Sequence, residues 1–207
     1  MIFKNRYDAA MHLVPLLRKY KETEGVVLAI PRGAVPMGYY IAQELHLPLD
    51  LLMTKKIGHP RNPELAIGSV SLEGRVIDPR FNMDEEFIEQ QTTRIREMLK
   101  NRYEKFMGKR SAINLEHKTV IIVDDGIATG NTMQVSVDLV RHHHPKKVVI
   151  ATPVASEEAL RKLREKADEV VCLYTPTNFR AVSEFYDDFS AVTDEDVIDY
   201  LNRLNTD

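Results

Sequence analysis

The sequence predicts an α/β fold with a doubly wound, mainly parallel sheet. Short apolar runs rich in β-branched residues alternate with helical patterns, and such runs stand at residues 26–30, 120–123, 148–151 and 170–173. Continuous apolar runs of this length are typical of strands buried on both faces, as in parallel sheets. The chain has 207 residues and shows neither an internal repeat nor a linker, so we expect a single domain over residues 1–207.

The first half of the chain begins with regular alternation and is then interrupted. The predicted elements are, in order, a helix at 8–20, a strand at 26–30, a helix at 35–46 and a strand at 49–53. The glycine- and proline-rich segment at residues 56–63 breaks this alternation and indicates a mobile loop. Residues 66–71 and 75–77 then predict a hairpin around Glu73 and Gly74.

The second half returns to the alternation of helix and strand. Residues 84–107 predict one long helix, because apolar residues recur along one side, acids lie in the first turns and bases in the last. The elements after it are a strand at 120–123, a helix at 132–141, a strand at 148–151, a helix opened by Ser156, a strand at 170–173 and a helix from about Thr193.

Composition excludes several classes of partner. The net charge is −3 and the pI is about 6.2, so we expect binding to neither nucleic acid nor an anionic membrane. No apolar run approaches the roughly 20 residues of a membrane span, and residues 1–7 lack the features of a secretion signal. The single cysteine, Cys172, lies in an apolar stretch and reads as a core residue. The sequence therefore predicts a cytoplasmic protein.

The most informative motif follows the strand at 120–123. Asp124 and Asp125 are carboxylates that cannot be buried with that strand, so we expect them in a crevice at its carboxyl edge. Gly126 and Gly130 allow a tight turn, and hydroxyl and amide side chains follow at the start of a helix; the loop comprises Ala128, Thr129, Gly130, Asn131 and Thr132. Paired carboxylates and an amide-rich loop suit a diol and a phosphate about one sugar apart.

Two other nucleotide motifs fit this segment less well. A Walker P-loop would place a lysine between Gly130 and Thr132, where this chain has Asn131. The dinucleotide fingerprint Gly-x-Gly-x-x-Gly does not occur in the sequence. An ordinary strand, turn and capped helix is the remaining alternative, and the length of the motif disfavours it.

The segment from Val120 to Thr132 resembles the signature of the type I phosphoribosyltransferases. The resemblance implies that fold, with a smaller hood region assembled from the later parts of the chain. It also implies that Asp124 and Asp125 hold the ribose hydroxyls of phosphoribosyl pyrophosphate, and that residues 128–132 hold its 5-phosphate. Mg²⁺ is the implied cofactor. Asp124 and Asp125 would contact the direct ligands of the ion and not the ion itself.

Further candidate residues flank the predicted crevice. Arg32 and Gly33 follow the strand at 26–30, and the resemblance places there a pyrophosphate loop, often with a cis or strained peptide at Arg32. Lys56 resembles a basic residue of the family's catalytic loop, which closes over pyrophosphate. His59 and Arg61 in the same loop are equally well explained as solvated surface residues. Tyr186 is a candidate for an acceptor pocket or for core packing.

The chain is also similar over nearly its whole length to a subgroup of bacterial phosphoribosyltransferases with an unassigned acceptor. The 6-oxopurine enzymes place an acidic general base where this chain has Ala128, which disfavours hypoxanthine and guanine. We expect transfer of the phosphoribosyl group to a nitrogenous acceptor with Mg²⁺-dependent release of pyrophosphate. The alternative is a non-catalytic sensor of phosphoribosyl pyrophosphate or a nucleotide. The acceptor, the role of residues 57–64 and the oligomeric state, for which a homodimer is one candidate, stay open.

Overall fold

The structure, a computed structural model, describes residues 2–204. The chain forms two compact units, which we call the sheet unit (Met1–Leu52 with Ser111–Asp207) and the hairpin unit (Met53–Arg110). The sequence predicts one domain, with the smaller region drawn from the later parts of the chain. The later parts belong to the sheet unit, and the middle of the chain forms the second, smaller unit.

The elements alternate as expected outside the middle of the chain. The strands are β1 (Gly25–Ala29), β2 (Leu49–Leu51), β3 (Thr54–His59), β4 (Asn62–Ser71), β5 (Arg75–Ile77), β6 (Thr119–Val123), β7 (Lys147–Val154) and β8 (Glu169–Tyr174). The α-helices are α1 (Arg6–Leu17), α2 (Val35–Leu45), α3 (Glu85–Met107), α4 (Asn131–Arg141), α5 (Glu157–Arg164) and α6 (Asp194–Arg203). Short 3₁₀ helices stand at Arg18–Tyr20 and Val182–Phe185. Among these helices none is long and apolar enough to cross a membrane.

The sheet unit contains a five-stranded parallel sheet in the order β2-β1-β6-β7-β8. Every residue of β1 and β6 is buried, which explains the uninterrupted apolar runs in the sequence. The last residues of β1 and β6, Ala29 and Val123, pair with each other, and Val123 also pairs with Ala151 of β7. The loops after β1 and β6 therefore leave the sheet side by side at one edge, which confirms the predicted parallel α/β sheet.

The hairpin unit corrects the prediction of a mobile loop at residues 56–63. Most of that segment lies in β3 and β4, which pair antiparallel from Thr54 with Ser71 to His59 with Asn62. The sequence of β3 does not alternate between apolar and polar residues, because among its residues only Ile57 is buried. Gly58 lies at an irregularity in the ladder, where a Cβ would press on the carbonyl of Pro63. β5 and α3 complete the unit, whose buried residues include Ile57, Ile67, Val70, Ile88, Ile95 and Leu99.

Three helices begin after a residue of a type that commonly caps helices, and its side chain accepts a hydrogen bond from the first turn. Ser156 accepts a hydrogen bond from the Ala159 N–H at the start of α5. Thr193 and Asp196 form a reciprocal capping box at the start of α6. Asn5, which the sequence analysis did not identify, caps α1 by accepting from the Asp8 N–H. Helix α1 consequently begins at Arg6, two residues earlier than predicted.

A polar network joins strands β7 and β8 at the amino-terminal end of the sheet. The Tyr20 hydroxyl donates to Glu169 Oε2 at 2.6 Å, and Lys147 Nζ donates to both groups. Lys19 Nζ lies 2.7 Å from Glu169 Oε1. Burial raises the pKa of Glu169, but hydrogen bonds from Lys19, Tyr20 and Lys147 outweigh it and lower that pKa from 4.5 to about 2.

This network predicts a stability difference that depends on pH. Glu169→Gln should lower the free energy of unfolding near pH 7 by about 1–2 kcal/mol, because it removes the charge that three donors stabilise. The folded pKa is the lower one, so this stabilisation is present above about pH 4.5 and is lost as the pH falls towards 2. Urea unfolding near pH 7 and about pH 3 measures it, with the exposed Glu165→Gln as control. An equal deficit at both pH values would contradict the interpretation.

Candidate functional site

The turn after β1 and the loop after β6 are in direct contact at the carboxyl edge of the sheet. Gly33 lies so close to Asp125 that a Cβ built on Gly33 would overlap the Asp125 carboxylate, with Oδ2 nearest. The sequence predicts both loops at this edge, and the register of β1 and β6 explains why they meet. Only a residue without a side chain leaves room for the carboxylate at this distance.

Asp124 and Asp125 are partly buried and electrostatically coupled. Burial, and then the neighbouring charge of Asp125, raise the pKa of Asp124 well above its ordinary value. Burial also raises the pKa of Asp125, although Arg6 opposes this through its charge and its hydrogen bonds. The Asp125 N–H donates to Asp124 Oδ1 at 3.0 Å, which fixes the two residues relative to each other. Two carboxylates so placed favour a ligand that donates hydrogen bonds or brings positive charge.

Arg6 is the residue of this site that sequence reasoning missed. Its Nε and Nη2 atoms each lie 2.9 Å from Asp125 Oδ2, and its Nη1 donates to the Ser190 carbonyl at 2.8 Å. The guanidinium also stacks on the Phe189 ring, with Cζ 4.0 Å from the ring centroid. The two partners are 119 residues apart, so no local pattern connects them.

The segment at residues 128–132 forms an exposed loop that leads into helix α4. Gly130 adopts a left-handed conformation with φ of 75°, and α4 begins at Asn131. Ser156 Oγ donates to the Ala128 carbonyl at 2.5 Å and anchors the loop to the start of α5. Ala128, Thr129, Asn131 and Thr132 are exposed. The first N–H groups of a helix lack intrahelical acceptors, so this loop presents donors suited to a phosphate.

Gly126 has a packing role in addition to the tight turn expected from the sequence. A Cβ at this position would overlap the Cγ atoms of Val182, from the 3₁₀ helix at Val182–Phe185. The glycine therefore allows the carboxyl-terminal segment to approach the site. That close approach between distant segments could not be read from the local motif.

Arg32 and Tyr186 make contacts that the sequence did not specify. Arg32 Nη1 donates to Asp194 Oδ1 of α6 at 3.1 Å, and its side chain is 44% exposed. The peptide bond between Pro31 and Arg32 is cis, as the family resemblance implied. Tyr186 is buried, and its hydroxyl donates to the Asp125 carbonyl at 2.6 Å. Tyr186 therefore helps to hold the backbone of Asp125 in place. A role for Tyr186 in binding an acceptor stays a prediction.

Lys56 belongs to the hairpin unit. It lies on β3 opposite Ser69, and its side chain is exposed. The predicted contact of Lys56 with pyrophosphate stays a prediction from the sequence.

A cavity of about 450 Å³ opens beside Arg6. Three tyrosines contribute to its walls, Tyr7, Tyr40 and Tyr200, together with the carboxylates of Asp188 and Asp196. Its volume suits a small molecule. Arg6 lines this cavity and also binds Asp125, so the guanidinium lies between the cavity and the carboxylate pair.

Asp124 and Asp125 are the residues of this site that bear on the binding of a magnesium ion. Within residues 2–204, no three acidic, histidine or cysteine side chains group in a way that could hold a metal. Asp124 and Asp125 provide two adjacent carboxylates, and burial raises the pKa of both. Mg²⁺ commonly combines one or two carboxylates with phosphate oxygens and water, so this pair fits an ion delivered with a phosphorylated ligand.

The fold and this site define the class of protein. Residues 3–190 match the model of the phosphoribosyl transferase domain, and the chain therefore belongs to that family. A crystal structure of the Thermus thermophilus protein TT1426 is similar, with 37% identity, 99% coverage of both chains and a TM-score of 0.89. A Neisseria gonorrhoeae protein solved with bound ppGpp shares the fold, with 16% identity over 99% of this chain and 95% of that chain, and a TM-score of 0.50.

The curated relatives are longer proteins. A Mycobacterium tuberculosis protein named "putative phosphoribosyl transferase" is 36% identical over the whole of this chain. The match covers 48% of that relative, so the chain spans about half the length of the curated proteins it resembles.

The contact between Gly33 and Asp125 predicts coupling between two substitutions. Gly33→Ala should destabilise the protein by about 1–3 kcal/mol, because the added methyl group displaces a held carboxylate. In an Asp125→Ala background the same change should cost less than about 0.5 kcal/mol, since the overlapping atoms are gone. Thermal and urea unfolding of the four proteins measures this cycle. Equal costs in both backgrounds would show that Gly33 is not constrained by Asp125.

Proposed function

We propose that the protein is an enzyme that binds phosphoribosyl pyrophosphate and transfers its phosphoribosyl group to a nitrogenous acceptor. The observation that carries this proposal is the placement of two carboxylates and an exposed glycine-threonine loop on the same strand-to-helix connection, after β6. Membership of the phosphoribosyl transferase domain family supports it. Both parts lie in the sheet unit, so the geometry of the proposed ribose 5-phosphate site is defined within one compact unit.

Each residue has a proposed task that follows from its chemistry. Asp124 and Asp125 accept hydrogen bonds from the ribose hydroxyls, because ionised carboxylates are strong acceptors in a partly buried crevice. Residues 128–132 bind the 5-phosphate through backbone N–H groups and the hydroxyls of Thr129 and Thr132. Arg32 and the backbone at Gly33 bind pyrophosphate at the end of β1. The Arg32 guanidinium would exchange its exposed contact with Asp194 for phosphate oxygens.

Mg²⁺ is the proposed cofactor, and when bound with the substrate it would offset negative charge on the departing pyrophosphate. Asp124 and Asp125 would contact it through its water ligands. The protein's own contribution is to orient the sugar phosphate and to hold its two ends, which lowers the entropic cost of bringing two reactants together. Pyrophosphate leaves as the bond from C1 to its oxygen breaks and a bond from C1 to the acceptor nitrogen forms.

The acceptor stays unassigned. Ala128 is exposed and offers no acidic group, so the site lacks the general base that the resemblance associates with 6-oxopurine acceptors. A second function, a sensor that binds phosphoribosyl pyrophosphate or a nucleotide without turnover, uses the same carboxylates and loop. The two functions differ only in whether pyrophosphate is released.

Binding of phosphoribosyl pyrophosphate with Mg²⁺ tests the proposal most directly. Calorimetry should show binding and a higher Tm, because the ligand binds only the folded chain. Asp125→Asn should weaken binding by about 10-fold or more, since an amide replaces a charged acceptor. Asp187→Asn, an exposed acid of the carboxyl-terminal segment, is the matched control and should bind normally. Absence of binding at millimolar ligand would contradict both the enzyme and the sensor.

Release of pyrophosphate then separates the two functions. A panel of bases and small amines should include an acceptor that supports Mg²⁺-dependent pyrophosphate release from the wild-type protein. Tight binding without release across the panel would favour the sensor. In the same assay Lys56→Ala should lower turnover more than it weakens binding if this side chain stabilises the departing pyrophosphate.

A further inference from the structure

Arg6 contacts one of the two oxygens of the Asp125 carboxylate, Oδ2. Its Nε donates to Oδ2 and its Nη2 lies 2.9 Å from the same oxygen, which differs from the two-oxygen fork that arginine and carboxylate commonly form. The Arg6 side chain is only 11% exposed, and that of Asp125 is 14% exposed. Within residues 2–204, the hydrogen bond found from another residue to the Asp125 carboxylate is the one from Arg6 Nε to Oδ2.

Three further contacts restrict Asp125. Gly33 lies against its carboxylate, nearest to Oδ2, and closes off the space on that side. The Tyr186 hydroxyl fixes the Asp125 carbonyl, and Asp124 Oδ1 accepts from the Asp125 N–H. The backbone is thus held on both sides of the residue, and Arg6 controls the remaining rotation of the side chain.

We propose that Arg6 is a positioning residue that orients Asp125 so that its Oδ1 atom accepts a hydrogen bond from the ribose diol. This inference rests on the proposed function, because it assigns Asp125 to a sugar hydroxyl. Arg6 itself does not contact the substrate. Its second donor group binds the Ser190 carbonyl and its face stacks on Phe189, so the guanidinium has no freedom to follow a ligand.

The rival interpretation is a structural ion pair that only fastens helix α1 to the sheet unit. A buried ion pair is weak evidence for stability, because desolvation of the two charges offsets much of their attraction. Loss of a purely structural pair would weaken every ligand of the site to the same extent. Loss of an orienting contact would weaken only the part of the ligand that Asp125 recognises.

Three ligands separate these interpretations without Mg²⁺ or an acceptor. Ribose 5-phosphate carries the diol, 2-deoxyribose 5-phosphate lacks one of its hydroxyls, and inorganic phosphate reports on the loop at residues 128–132 alone. Wild-type protein should prefer the ribose over the deoxyribose compound by about 10-fold, since a hydrogen bond to a charged group contributes about 1.5 kcal/mol. Calorimetric titrations of each ligand give these ratios.

Arg6→Met should reduce that preference to less than about 3-fold while the Kd for inorganic phosphate changes less than about 2-fold. Arg18→Met is the matched control, because it removes the same charge from an exposed position just after α1. It should keep the wild-type preference. The proposal would be overturned if Arg6→Met kept the full preference for ribose 5-phosphate over 2-deoxyribose 5-phosphate. It would also be overturned if Arg6→Met lost affinity equally for all three ligands.

Arg6→Lys keeps the test usable if Arg6→Met does not fold. Lysine retains the charge but cannot place two fixed N–H groups beside one oxygen. The preference of Arg6→Lys for ribose 5-phosphate over 2-deoxyribose 5-phosphate should therefore fall between those of the wild type and of Arg6→Met. A wild-type preference in Arg6→Lys would contradict orientation by the guanidinium. If wild-type protein binds phosphoribosyl pyrophosphate but does not discriminate the two sugars, this inference fails and the proposed function survives. If it binds none of the ligands, both fail.

Discussion

The partly buried carboxylate of Asp125 is the constraint on which the site depends. Burial makes its charge unfavourable, and a guanidinium from α1 opposes that effect. A glycine after β1 leaves room for the carboxylate, and a tyrosine hydroxyl from the carboxyl-terminal segment donates to the Asp125 carbonyl. Each of these contacts comes from a different part of the sheet unit. The placement of this one residue therefore depends on segments that are far apart in the chain.

The regular part of this arrangement could be predicted from the sequence. Strands β1 and β6 are read from continuous apolar runs, and parallel neighbours necessarily direct their following loops to the same edge of the sheet. The loop at residues 128–132 is also local, because its glycine and hydroxyl residues lie within one strand-to-helix connection. Helix starts at Ser156 and Thr193 follow from capping chemistry that acts over three residues.

The rest depends on contacts between distant residues. Nothing near Arg6 in the sequence indicates that it binds Asp125, and nothing near Gly126 indicates that Val182 packs against it. The prediction of a loop at residues 56–63 is wrong for a different reason. The glycines, prolines and charged residues of this segment are typical of a loop, but β3 and β4 pair through their backbones and need few buried side chains to do so.

Family membership and the geometry of the site support different parts of the proposed function. The phosphoribosyl transferase domain extends over both units, whereas the proposed sugar phosphate site is described within the sheet unit alone. In the proposed function the carboxylate pair and the loop recognise a ribose phosphate, and they would serve an enzyme or a sensor equally. What distinguishes these two is the fate of pyrophosphate, which depends on residues at the end of β1 and on the acceptor.

A titration of isotope-labelled protein with ribose 5-phosphate, followed by NMR of the backbone amides, tests the central claim most directly. The account predicts that the largest shifts occur at residues 125 and 128–132, because these amides adjoin the proposed diol and phosphate contacts. Shifts concentrated elsewhere in the sheet unit or in the hairpin unit, or no shifts at millimolar ligand, would contradict it.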